Sequence, residues 1–166
     1  MKKDLRFWVY GALLTALVVI GTMVINIPTV ATQGYVNLGD GFIILSAYLF
    51  GPAMGFIAGG IGSALADVLK GYAVWAPWSL IIKGLMGMIV GYLTLNPRKG
   101  VIKKVLIFAA AEIWMVLGYF MASLIMFGYA AALADVPSNM VQGAVGVVVG
   151  VLLSETLKSI DLSKRG

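Results

Sequence analysis

Long apolar runs separated by short polar or glycine-rich breaks cover the chain, at 7–25, 41–69, 78–95, 105–128 and 138–157. A helix rising 1.5 Å per residue needs about 20 apolar residues to cross a hydrocarbon core of ~30 Å. Four runs have that length. The second is too long for one straight crossing, and Gly51 and Pro52 in "LFGPAMG" divide it, because proline lacks the N–H of a helix interior and clashes with the preceding turn. The pattern predicts six helices, over 7–25, 40–50, 53–70, 78–95, 105–128 and 138–157, the second of them short. With no composition shift between them, they are expected to form one domain over 1–166, a compact six-helix bundle.

Composition makes the bundle a membrane protein. The chain is 61% hydrophobic and 11% charged, too apolar for the surface of a soluble domain of 166 residues. Its first 29 residues have a charged start and then an apolar run longer than a signal-peptide core, so they are read as a retained helix. The fold class is therefore all-α and integral to the membrane.

Charge orients it. With six helices, Lys2, Lys3, Arg6, Arg98, Lys99, Lys103, Lys104, Lys158, Lys164 and Arg165 fall on one side, 10 of the 12 basic residues. Five helices would split them between the two sides. Since basic loops stay inside, both termini are expected in the cytoplasm, with 26–39, 70–77 and 129–137 as external loops. The net charge of +5 thus reads as a topology signal beside apolar segments, and no nucleic-acid partner is expected.

Several chemistries are excluded. Cysteine and histidine are absent, which removes disulfides, thiolate metal sites and the commonest general base, and no P-loop motif is present. An enzyme is not expected, nor a metal site or a cofactor in this chain.

Polar residues inside the apolar runs are the candidate functional groups. Asp67, Lys83 and Glu112 would each cost at least ~2.5–3.5 kcal/mol alone in a membrane helix, so each needs a partner, water or a ligand. Asp67 and Lys83 fall at similar depth on the third and fourth helices, which permits an ion pair between them or contact with a ligand. Glu112, Met115, Tyr119 and Ser123 share one helix face. Asn139 and Gln142 share another, in a helix expected to follow Pro137 with Ser138 as its cap. Trp75 and Trp78 flank Pro77 as interface anchors or as a stacking surface for an aromatic ligand. Gly51, Gly55, Gly59 and Ser63 form a stripe of small residues suited to close helix packing. In "GYVNLGDGF", Asn37 or Asp40 is placed to cap the second helix, while Gly34, Gly39 and Gly41 give the loop freedom to hinge.

Taken together, "YVNLGD", "LFGPAMGFIAGGIGSALADVL", "APWSLIIKGLMG", "EIWMVLGYF" and "SNMVQ" resemble the S components of bacterial energy-coupling factor (ECF) vitamin transporters. The resemblance implies a multi-pass protein of the bacterial cell membrane that captures a water-soluble vitamin or precursor at its outer side, under a lid formed by the first loop. The residues expected to contact that ligand are the polar and aromatic candidates Asn37, Asp40, Asp67, Trp75, Trp78, Lys83, Glu112, Tyr119, Asn139 and Gln142. A vitamin B6-like or hydroxymethylpyrimidine-like ligand is favoured, with riboflavin or cobalamin as the other ligands of similar proteins. The implied partners are membrane lipid, a transmembrane scaffold subunit and two cytoplasmic ATPases using ATP and Mg. Ala12 and Ala16 match the family's Ala-x-x-x-Ala motif for docking on that scaffold, and delivery is implied to occur by toppling of the loaded subunit in the membrane. The competing expectation is a small self-sufficient secondary transporter or channel in which Asp67, Lys83 and Glu112 form the relay.

Overall fold

The computed structural model describes residues 5–24, 27–28, 35–95 and 100–157. Six helices account for nearly all of them: α1 (Leu5–Val24), α2 (Gly39–Phe50), α3 (Pro52–Leu69), α4 (Ala76–Leu93), α5 (Val101–Phe127) and α6 (Tyr129–Thr156). All but α2 are long and apolar enough to cross a membrane. The one other pairing is an antiparallel bridge in the first loop, joining Ile27 to Val36 and Pro28 to Tyr35.

The short helix α2 is the centre of the bundle, contacting α1, α3, α4 and α6. Residues from Gly39 to Ala47 are buried around nearly its whole circumference, as expected of a helix with no lipid-facing side. Apolar residues of α1 and α5, such as Leu13, Ile20, Ile113 and Ile125, instead point outward, where lipid takes the place of a protein core. Gly51, at φ 81°, turns α2 into α3, and Pro52 opens α3 where its missing N–H is harmless.

Small residues let α3 and α4 touch through their backbones. A Cβ on Gly55 or Gly87 would strike the backbone of the other, and one on Gly59 would lie 2.6 Å from the Lys83 carbonyl oxygen. The stripe of small residues in α3 is therefore a packing seam, completed by Gly84, Gly87 and Gly91 of α4. Within it, Ile57–Ile61 widens into a single π-helical turn. The added residue shifts the register of the small face, so Gly59 and Gly60 meet α4 while Gly62 meets Val18 of α1. The end of α3 is closed at Gly71 (φ 82°) by N–H bonds from Tyr72 to the Asp67 carbonyl (2.8 Å) and from Gly71 to the Val68 carbonyl (3.1 Å).

Two expectations are corrected here. The sixth helix starts at Tyr129 rather than 138, so 129–137 is not an external loop. "YAAALAD" is rich in good helix formers, a single glycine, Gly128 at φ 86°, makes the turn from α5, and Pro137 is carried inside the helix. Gly39 and Gly41 are not hinges either. Both lie in α2, where a Cβ would collide with the Thr22 hydroxyl and with Val149 respectively, so their role is close approach. Gly34 lies outside the described residues, as do Lys2, Lys3, Arg98, Lys99, Lys158, Lys164 and Arg165.

At the end of the bundle formed by the start of α5 and the finish of α6, Lys104 is turned inward and buried, unlike its exposed neighbour Lys103. Its ammonium lies 2.8 Å from Glu155 Oε1 and 4.1 Å from the centre of the Tyr48 ring, tying α5 to α6 and α2.

Candidate functional site

At the opposite end, the last turns of α1, α3 and α5 meet the first turns of α2, α4 and α6. Polar side chains from α1, α3, α4, α5 and α6, with Asn37 just before α2, converge there on a pocket of about 460 Å³, its open mouth included. Its floor is an ionic and amide network. Lys83 of α4 donates to Asp40 Oδ1 of α2, and both are almost wholly buried, at 2% and 1% exposure. Gln142 of α6 donates from Nε2 to Asp40 Oδ2 at 2.7 Å. Its Oε1 accepts the backbone N–H of Asn37 at 3.0 Å and the Asn37 side-chain amide at 3.4 Å. One glutamine thus links the buried ion pair to the residue that ends the first loop.

Asn37 stands one residue before the cap position of α2, Leu38, and its Oδ1 accepts the Gly39 N–H at 2.9 Å. Asp40 does not cap that helix. As the second residue of α2, it turns its carboxylate to the bundle, where Lys83 and Gln142 take both oxygens.

The wall is aromatic on one side. Trp75 is 4% exposed, and its ring centroid lies 5.8 Å from those of Tyr119 and Phe127. The Tyr119 hydroxyl and Ser79 Oγ are 2.7 Å apart, and the Lys83 ammonium sits 5.4 Å from the centre of the Tyr119 ring. On the other side, α6 presents Asp135, Asn139 and Gln142 at helical spacings of four and three. Asp135 Oδ2 accepts from Asn139 Nδ2 at 3.2 Å and from Ser123 Oγ at 3.4 Å. Ser138 does not cap a helix but donates to the Asp135 carbonyl at 2.8 Å.

Of the residues singled out in the sequence, Asn37, Asp67, Trp75, Lys83, Tyr119, Asn139 and Gln142 line this pocket. Asp40 lies immediately behind Lys83 and Gln142. Trp78 is only half-buried and packs against the core away from the wall. Glu112 is also off the wall, pressed against Gly143 and Gly146 of α6 and close to Asp40. Both of its carboxylate oxygens are buried without a hydrogen-bond partner among the described residues.

The expected Asp67–Lys83 pair is not formed, because the central α2 brings Asp40 to Lys83 first. Asp67 lines the pocket from α3, with Lys70 one turn beyond it. Burial lowers the pKa of Lys70, and the Asp67 charge opposes that shift. Thr22, Ser63, Ser79 and Asp135 also line the pocket and were not anticipated. Ser63 and Ser79 stand four residues before Asp67 and Lys83, a signal that helical spacing carried, whereas Asp135 was concealed by the stop that Pro137 suggests.

The fold and pocket define a class: a helical membrane protein that encloses a polar, partly aromatic binding space at one end of its bundle. Residues 3–159 match the model of the family described as ECF-type riboflavin transporter, S component, and the chain belongs to that family. It is thus a member of a family of substrate-binding transporter components rather than of enzymes. It is 43% identical over 144 residues to an uncharacterized protein from the gap 3' region of Pyrococcus woesei, a match covering 85% of this chain and 94% of that one. It is 36% identical over 123 residues to a UPF0397 protein of Streptococcus pneumoniae (strain Hungary19A-6), covering 72% of this chain. The match spans 62% of the length of that streptococcal relative.

Proposed function

We propose that this chain captures a small, flat, nitrogen-containing vitamin or precursor in the pocket between Trp75, Tyr119 and Gln142. The observation that carries the reading is the Lys83–Asp40–Gln142–Asn37 network. It connects the floor of the pocket to Asn37, the residue that ends the first loop. The free space inside the pocket as it stands is about 30 Å³, below the ~300–1,000 Å³ of small-molecule sites, so capture requires its walls to move apart. Aromatic faces supply stacking and the amides both donate and accept, a combination suited to a pyridine or pyrimidine alcohol of the B6 or hydroxymethylpyrimidine kind. Riboflavin, the ligand in the family's name, is the second candidate. Cobalamin would need a far larger space.

The pocket end faces outside in this reading, because Lys103 and Lys104 lie at the other end. The chain then works with a transmembrane scaffold subunit and two ATPases that supply ATP and Mg chemistry. Ala12 and Ala16 support the docking role: they line an apolar groove of about 750 Å³, its open side included, between α1 and α3, walled by Trp8, Met54, Ile57 and Leu65. Toppling of the loaded chain delivers the ligand inward, driven by a scaffold that distinguishes loaded from empty forms. A self-sufficient relay through Asp67, Lys83 and Glu112 has less support, since Lys83 is committed to Asp40.

The test is to purify the chain in detergent, identify any co-purifying small molecule by mass spectrometry, and titrate pyridoxine, hydroxymethylpyrimidine and riboflavin while following tryptophan fluorescence. Binding at micromolar concentration or tighter by one of them is expected. Failure of all three, with nothing co-purifying, would refute the capture role.

A further inference from the structure

Several polar groups on the pocket wall are already joined within the protein. Lys83 is engaged by Asp40, both ends of the Gln142 amide are in use, and the Tyr119 hydroxyl is bonded to Ser79. Two donors stand apart. The indole N–H of Trp75 and the hydroxyl of Thr22 are buried on the same wall and have no hydrogen-bond partner among the described residues. Buried donors in folded proteins are nearly always satisfied, so unmet donors on a pocket wall call for a group that arrives from outside.

The setting of Trp75 decides how it can meet that group. Immediately before α4, its backbone N–H is bonded to the Tyr72 carbonyl and its carbonyl to the Ser79 N–H, each at 2.8 Å. Its ring rests against Tyr119 and Phe127, and the residue is 4% exposed, so little of either face is left for a ligand ring. A donor held this firmly offers its N–H at small entropic cost. Thr22 approaches from the last turn of α1, its hydroxyl close enough to Gly39 of α2 to exclude a Cβ there. The free space of about 30 Å³ between them and the other walls has room for water but for no larger molecule. A ligand displaces such water without loss only if it brings acceptors of its own.

We infer that Trp75 and Thr22 select the ligand through its acceptors: Trp75 Nε1 donates to a nitrogen or carbonyl on the rim of the ligand ring, and Thr22 Oγ1 donates to a second acceptor. Trp75 thus meets the ligand by its edge and not by stacking. A ligand of the same shape with an apolar rim leaves both donors buried and unmet, and is rejected for that reason. This deepens the capture reading and rests on it.

The test uses the full chain in detergent, with whichever of pyridoxine, hydroxymethylpyrimidine and riboflavin binds the unaltered protein as probe, followed by calorimetry. Replacing Trp75 with benzothienylalanine puts sulfur in place of the N–H and keeps the size and faces of the ring. Affinity should fall ~10-fold, the ~1.4 kcal/mol of one net hydrogen bond, while the unfolding midpoint of the empty protein stays unchanged because no protein contact is lost. Thr22→Val should weaken binding ~3-fold to ~10-fold and leave the empty midpoint unchanged or raised, since the hydroxyl it removes has no partner to lose. In the unaltered protein the Trp75 indole N–H proton resonance should move downfield at ligand saturation, so the inference stays testable if a variant fails to fold. Affinity within about twofold after the sulfur replacement, or an N–H resonance that does not move downfield, would overturn the role of Trp75. Affinity within about twofold in Thr22→Val would overturn that of Thr22, and a fall in the empty midpoint of either variant would assign its side chain to the fold instead. Each of these results leaves the capture role standing. Binding by none of the three probes, with nothing co-purifying, would refute the capture role itself.

Discussion

The Lys83 ammonium closes on the Asp40 carboxylate between α4 and α2, at the point where the pocket floor meets the bundle core. Neither charge has meaningful access to water, so each depends on the other and on Gln142. Removing one partner of such a pair leaves an uncompensated charge and costs ~3–5 kcal/mol, whereas replacing both with apolar groups of similar volume costs much less. Lys83→Met and Asp40→Leu should each lower the unfolding midpoint in detergent sharply, and the double variant should be more stable than either. Additive losses across the cycle would show that the two residues are not energetically coupled.

Gln142 is the link between that pair and the loop. Gln142→Leu strips the Asn37 backbone N–H of its acceptor and Asp40 Oδ2 of its donor, at a cost of ~1–3 kcal/mol. The informative effect is local: hydrogen exchange at the Asn37 amide should rise while amides in the middle of α4 stay protected. A bound ligand should also leave faster, by stopped-flow tryptophan fluorescence. Unchanged exchange at Asn37 would separate the loop from the pocket floor.

Where α3 meets α4, there is no side chain to move aside. Gly87→Val drives a Cβ into the Gly55 carbonyl, so the two helices must part. Overpacking of this kind costs ~1–3 kcal/mol, and here the obstacle is backbone, which places the loss at the upper end. Gly100→Ala, which meets nothing within 4 Å, is the matched control and should stay within ~0.5 kcal/mol. Thermal unfolding of the two variants side by side gives the comparison.

The helices were legible because lipid imposes length and apolarity on every crossing, and Gly51–Pro52 is a break that few contexts override. The start of α6 was not, since Pro137 marks a helix end in water. In this bundle its carbonyl cost is absorbed inside the helix. The error carried Asp135 with it, since a residue placed in an external loop is not weighed as a pocket wall. Spacing along helices put Asp67 and Lys83 at similar levels, and both line the pocket, but it says nothing about rotation around the bundle. That rotation is set by α2, whose central position follows from packing rather than from its own sequence pattern. The π-helical turn at Ile57–Ile61 was equally hidden, because a run of small residues satisfies either register.

Ala12 and Ala16 give the last prediction. Both line the apolar groove between α1 and α3 and neither lines the ligand pocket, so docking and capture are physically separable. Helix association in lipid depends on dispersion over close backbone approach, and a leucine at either position would fill the groove and hold a partner helix off. Ala12→Leu with Ala16→Leu should therefore leave ligand affinity in detergent within about twofold, as expected of surface changes remote from a site. Uptake of the labelled ligand by cells expressing the scaffold and both ATPases should fall to background, and the scaffold should no longer co-purify with the chain. If uptake persists at the normal rate, the groove is not the docking face. If ligand affinity collapses instead, α1 shapes the pocket through Thr22, and the separation between the two surfaces fails.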